Sequence, residues 1–290
     1  MNGGVESTRP TYWSVRRELW ENRSLYIAPL LVAAVACFGF VISTIGMPGR
    51  RRAAMLLETA KRRTLIQLPY DAVAAIIIVT AMIVGVFYCL DALYGERRDR
   101  SILFWKSLPV SDRTIVLSKA IIPLAVLPAL VFVIIVMTQI FMLLWSTAVL
   151  LPSGQAMTTW QNVNLLEKSA ILLYGLVAVT LWHAPIYAWL LLLSAWARRA
   201  PFLWAVLPPF AIGVFEQITF QTTYFAQWLR HRSIGYFDRA FAVKHGQHID
   251  SLAQLTPGSF LSMPGLWLGL LFAAACLAAA VRMRRYREPI

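Results

Sequence analysis

Three ionisable side chains stand inside otherwise apolar stretches of the sequence: Asp91, His183 and Glu216. Any chemistry performed within a membrane would have to start from such residues, because an ionisable group at membrane depth is costly and by default marks function. Glu216, in the segment FEQITFQ, lies near one end of its run. Its neighbour at i+4 is Phe220, so no polar partner shares that face of a helix. It reads either as part of a substrate pathway or as a carboxylate that reaches the membrane interface. His183, two residues before Pro185, reads either as a pathway residue or as a partner for the carbonyl that the proline frees. Asp91 lies at the end of its run, within reach of the arginines that follow, and an ion pair at the membrane edge is expected there. The three fall at the two ends and the middle of their runs. Catalysis needs reacting groups converging on one place, so this scatter counts against an integral membrane enzyme. His245 and His248, with Asp250, have metal-ligand spacing, but they sit in a polar stretch without cysteine and read as a solvated loop. There is no G-x-x-x-x-G-K-[ST], and the dipeptide Gly-Lys does not occur. The chain therefore lacks the loop that cradles nucleotide phosphates, and it is not expected to be an enzyme on its own.

The most concentrated polar feature is residues 94–119, YGERRDRSILFWKSLPVSDRTIVLSK, between two long apolar runs. It carries nine charged residues: Glu96, Arg97, Arg98, Asp99, Arg100, Lys106, Asp112, Arg113 and Lys119. No hydrocarbon layer accepts that density, so the segment must lie in water or against protein. After the charged turn, Ile102, Leu103, Phe104, Trp105 and Leu108 supply an apolar face. Pro109 cannot continue a helix, since it lacks an N–H and clashes with the preceding turn. Ser111 is then placed to cap a new helix, with Asp112 in its first turn. The pattern predicts a short amphipathic helix, a break, and a helix running into the membrane. A bare topology signal explains the arginines but needs no aromatic face.

In these two dozen residues the chain resembles the type-2 ABC exporter permeases, membrane subunits that work with a separate ATPase. The resemblance rests on the charged cluster Glu96-Arg97-Arg98-Asp99-Arg100, the apolar stretch 102–108, the break Leu108-Pro109-Val110-Ser111, and Lys119 near the start of the next helix. Ser101 stands where many members have glycine. The resemblance implies that the segment is a coupling helix, with Glu96, Arg97, Arg98, Asp99, Arg100, Phe104 and Trp105 docking on the ATPase. It implies no cofactor in this chain, ATP and magnesium being bound by the partner. It also implies a second permease subunit, homodimeric or related, and a route lined by the second and fifth spans onto which Glu216 would look.

The elements that must position these residues are membrane helices. The chain has 290 residues, of which 59% are hydrophobic and 14% charged, against roughly 25% charged in a soluble domain. Apolar runs of about the length that crosses a bilayer cover residues 25–45, 72–93, 120–151, 169–196, 201–220 and 261–281. The expected fold is all-α and integral to the membrane: six transmembrane helices, an N-terminal interfacial helix and a cytoplasmic coupling helix between spans two and three. Residues 1–24 form the tail and amphipathic helix, with Trp13, Val15, Leu19 and Trp20 set among Arg16, Arg17, Glu18 and Arg23. Tryptophans at headgroup depth suit that role. Residues 25–290 form the membrane domain, whose outer region 221–260 is expected to fold into short capping helices. Prolines at 123, 128, 185, 208 and 209 should bend their spans toward protein or a cavity.

The formal charge of +13 comes from arginines that flank apolar runs. That is the membrane use of basic residues and argues against nucleic acid as a partner. With both termini in the cytoplasm, the inner segments hold 16 Lys and Arg against 11 outside, which favours an inner-membrane protein of that orientation. The exception is the basic stretch 50–63, expected as an outer amphipathic helix over 51–63 with Met55, Leu56 and Leu57 toward lipid. Cys37, Cys89 and Cys276 lie within apolar runs and read as small hydrophobes. Gly265, Gly269 and Ala273, spaced by four, make a small-residue stripe for close helix packing, within the subunit or across a dimer. An unidentified lipid, peptide or antibiotic-like molecule is the expected cargo. A sensor or scaffold that docks a partner without transport is the remaining alternative.

Overall fold

A computed structural model describes residues 10–100, 110–242, 249 and 251–286. Among these the chain is helical, its extended pairing limited to one isolated bridge between Phe241 and Leu255. In order the helices are α1 Pro10–Glu21, α2 Ser24–Ser43, α3 Met47–Met55, α4 Thr59–Ala92, α5 Tyr94–Arg98, α6 Asp112–Ile121, α7 Leu127–Leu150, α8 Ala156–Asn162, α9 Leu165–Trp196, α10 Pro201–Phe220, α11 Tyr224–Ile234, α12 Phe237–Ala240, α13 Pro257–Leu261 and α14 Pro264–Tyr286. Six helical stretches are long and apolar enough to cross a membrane: Ser24–Ser43, Lys61–Arg98, Asp112–Ser153, Leu165–Trp196, Pro201–Phe220 and Pro264–Tyr286. They coincide with the six apolar runs of the sequence.

The core lies where α2, α4, α7 and α9 meet, around Tyr70, Ile77, Ile135, Met142, Leu143 and Leu191. Helix α14 packs along α9, and a second apolar cluster gathers Trp182, Phe241, Phe260 and Leu266 beneath the short helices of residues 221–261. Local signals in the sequence set several boundaries. The Ser111 hydroxyl accepts from the Thr114 N–H at 3.2 Å, capping α6. The Asn164 side chain does the same for α9, accepting from the Glu167 N–H at 3.3 Å. Each such cap satisfies a donor that the first helical turn leaves orphaned.

Between α6 and α7 the backbone widens into one π-helical turn, Ile122–Val126, which contains Pro123. Proline cannot donate to the helical ladder, and single π turns mark such irregularities. A cavity of about 30 Å³ lies beside it, lined by Pro123, Pro128, Val179, Thr180, His183 and Tyr187 among others. That is about the volume of one water molecule. The proline-bent part of this span therefore faces protein and a small void.

The basic stretch 50–63 does not form one amphipathic helix. Helix α3 ends at Met55 and α4 begins at Thr59, leaving Leu56 90% exposed at the break. Arg51 turns inward and is 7% exposed. Lys61, Arg62 and Arg63 join the first turns of α4, a helix of 34 residues. At 1.5 Å per residue that is about 51 Å, well beyond the roughly 30 Å of a hydrocarbon core. Helix α10 is the other departure from an ordinary bundle: of its 20 residues only Pro201 is buried, and its long apolar side chains are exposed.

Candidate functional site

The charged residues of segment 94–119 divide into a buried set and an exposed set. Glu96 and Lys119 are buried, together with Glu18 of α1 and Arg284 near the end of α14. Lys119 Nζ lies 2.8 Å from Glu18 Oε1 and 3.0 Å from Glu96 Oε1. The Arg284 guanidinium binds Glu96 Oε2 through Nη1, and its Nε donates to Asp112 Oδ1 at 3.1 Å. The Tyr88 hydroxyl donates to Glu18 Oε2 at 2.9 Å, and Arg17 approaches Glu96 Oε1 at 3.5 Å. Three carboxylates thus face three cations with hydrogen bonds between them, the condition under which buried charge is tolerated. The cluster ties α1, the end of span two, the start of span three and the end of the last span into one unit.

The joint between α4 and α5 is fixed separately. Ser194 Oγ of α9 accepts from the N–H groups of Leu93 at 3.0 Å and Tyr94 at 2.8 Å. Arg97 Nη1 donates to the carbonyls of Ala195 at 2.7 Å and Ala197 at 3.1 Å. Those carbonyls belong to the C-terminal end of α9, whose acceptors have no partner within the helix. Arg97 is therefore a cap on its own chain.

Arg98, Asp99 and Arg100 are exposed. Arg98 bridges Asp99 at 2.9 Å and Asp91 at 3.7 Å, the ion pair foreseen for Asp91. Hydrogen bonding from Arg98 holds the Asp99 carboxyl below its ordinary range. Arg100 has φ 58, a left-handed conformation that costs an L-residue energy and turns the chain sharply. Of the residues expected to dock on a partner, Glu96 and Arg97 are committed within the chain, while Arg98, Asp99 and Arg100 lie on its surface. Phe104 and Trp105 lie outside the described residues, as do the helix expected over 102–108 and the His245, His248 and Asp250 set.

Glu216 acts as a helix cap. Its carboxylate accepts from the N–H groups of Tyr224 at 2.7 Å and Phe225 at 2.8 Å, and from Thr222 Oγ1 at 2.8 Å. It therefore serves the first turn of α11 and borders an open aromatic groove of about 470 Å³ with Phe215, Phe220 and Trp228. His183 Nδ1 pairs with the Val179 carbonyl at 2.8 Å, one turn back on its own helix, so it does not serve the carbonyl of Leu181 that Pro185 frees. It lines the small cavity beside the π turn. The structure does not bring Glu216 and His183 to one site.

Gly265 and Gly269 face Trp182 and Arg232 of the same chain. Arg232 lies over the Trp182 ring, 4.4 Å from its centroid, and its Nη1 donates to the Gly265 carbonyl at 3.1 Å. A Cβ on Gly269 would collide with that guanidinium, whereas one on Gly265 would sit 3.7 Å from Trp182, ordinary contact. The guanidinium is the end of a flexible side chain, so Gly269→Ala is expected to lower stability by only about 1 kcal/mol, through the displaced bond to the Gly265 carbonyl, and Gly265→Ala to be close to neutral. Thermal unfolding of the two variants in the same detergent checks the difference.

Glu18, Lys119 and Arg284 were legible as charges but not as one site. The usable signal was Glu18 on the apolar side of an amphipathic helix. Among the described residues no group of three His, Cys, Asp or Glu is placed to hold a metal ion. No family model, no curated protein and no solved structure matches the chain.

Proposed function

We propose that this chain is the permease subunit of an ATP-driven ABC exporter, moving a lipid, peptide or antibiotic-like substrate with energy from a separate ATPase. Two permease subunits, identical or related, face each other in the cytoplasmic membrane, with both termini on the cytoplasmic side. The observation that carries this reading is the Glu18–Lys119–Glu96–Arg284 cluster. It couples the segment next to the exposed Arg98-Asp99-Arg100 turn to four separate parts of the bundle. A push on that segment would move the N-terminal helix and three spans together, as a lever between an ATPase and a transport route must. In this reading Glu216 stands near the route through its place beside the aromatic groove of α10.

The test is purification of the tagged chain from its membrane. An ATPase subunit of about 25–35 kDa is expected to accompany it. Changing Phe104 and Trp105 together to alanine should leave the chain in the membrane but uncouple hydrolysis from cargo movement. A chain that never retains an ATPase, or whose 94–119 segment is labelled from the exterior, is not such a permease.

A further inference from the structure

The end of the bundle opposite the ion cluster holds a large polar cavity. It has a volume of about 740 Å³ and is lined by Arg51, Arg62, Arg63, Gln161, Asn164 and Glu167, with Met55 at its edge. That volume is in the range of small-molecule sites. Along α4, Arg62 and Tyr88 are about 39 Å apart at 1.5 Å per residue. The roughly 30 Å hydrocarbon core therefore fits between the two ends, and the cavity lies at headgroup depth.

Its charges do not balance. Glu167 is engaged, 3.8 Å from Arg63 and accepting from the Leu252 N–H at 3.2 Å. Among the described residues no carboxylate comes within ion-pair distance of Arg51 or Arg62. Arg51 is nonetheless 7% exposed, and burial lowers its pKa from the ordinary arginine value. Arg62 Nε is buried without a hydrogen-bond partner. An uncompensated guanidinium is costly to bury, and the buried Arg51 with the half-buried Arg62 beside one cavity favour an oxyanion, which arginine binds through paired N–H groups. Met55 lines the cavity and is 42% exposed, and Leu56 and Leu57, which follow it in the chain, are 90% and 42% exposed, so the rim on Met55's side is apolar. A free anion would make no use of that rim, whereas the acyl chains of a lipid would.

We propose that this pocket binds the phosphate headgroup of an anionic phospholipid, with Arg51 and Arg62 on the phosphate and Met55 against the start of the acyl chains. The site is independent of the permease reading and stands whether or not an ATPase partner exists.

The experiment uses the full chain, delipidated in a neutral detergent, with native mass spectrometry and thermal unfolding as readouts. Phosphatidylglycerol is expected to bind at least 10-fold more tightly than phosphatidylcholine and to raise the melting temperature. Arg51→Gln with Arg62→Gln should remove that preference, while Arg52→Gln, at an exposed position, keeps it. Should the double variant fail to fold, Arg62→Gln alone, at a half-buried position, is expected to weaken the preference several-fold. Equal binding of the two lipids, or a preference that survives loss of Arg62, overturns the proposal. So does occupancy by inorganic phosphate that phosphatidylglycerol cannot displace, which would make the site one for a free anion.

Discussion

Lys119→Met is expected to cost about 3–5 kcal/mol of stability, the range for removing one partner of a buried ion pair. The lysine stands between Glu18 at 2.8 Å and Glu96 at 3.0 Å, and all three are almost wholly shielded. Methionine fills a similar volume, so lost packing contributes little, and the cost comes from two carboxylates left facing each other. Glu96 keeps Arg284; Glu18 is left with Tyr88 and the more distant Arg17. Adding Glu18→Gln should therefore recover a large part of the loss, since the amide oxygen can still accept from Tyr88 while the unpaired charge is gone. Thermal unfolding of the wild type, the single variant and the double variant forms the check. A Lys119→Met variant that melts with the wild type would mean that the cluster is not the brace described above.

Ser194→Ala is expected to cost about 2–4 kcal/mol, from two orphaned donors at roughly 1–3 kcal/mol each with partial relaxation. One hydroxyl oxygen accepts from two successive N–H groups, of Leu93 and Tyr94, where α4 ends and neither continues an unbroken ladder. The methyl group leaves no steric problem, so the effect isolates the hydrogen bonds. Hydrogen exchange should localise it: the amides of Leu93 and Tyr94 lose protection, while those of mid-span residues such as Ile77 keep theirs. Uniform loss of protection across α4 would point to general destabilisation of the bundle.

Much of the architecture was legible because apolar length and capping residues act locally. The six spans and the Ser111 cap follow from residues within a few positions of each other. The cluster was not legible, because its partners are brought together by packing of distant helices. Glu18 and Lys119 are separated by 101 positions, Glu96 and Arg284 by 188. In sequence each basic residue serves equally well as an orientation signal, and nothing local distinguishes Arg97, a cap on α9, from Arg98, an exposed neighbour. The partners of Glu216 were not legible for a related reason. Its partners at 222, 224 and 225 lie past the end of its own helix, so the i+4 rule that examined its face could not find them. The break at Leu56–Glu58 and the inward turn of Arg51 likewise depend on what α3 and α4 pack against.

Helix α10 carries a consequence for the lipid around the protein. It is bracketed by two left-handed residues, Ala200 at φ 44 and Gln221 at φ 51, and its middle receives almost no lateral support. Its 20 residues measure about 30 Å, equal to an average hydrocarbon thickness with nothing to spare. A span braced on all sides transfers mismatch to its neighbours; this one can answer it alone, by tilting. In the single chain, membrane thickness is thus a variable to which the fifth span responds first, and short-chain and long-chain bilayers should set it at different angles while the rest of the bundle stays put.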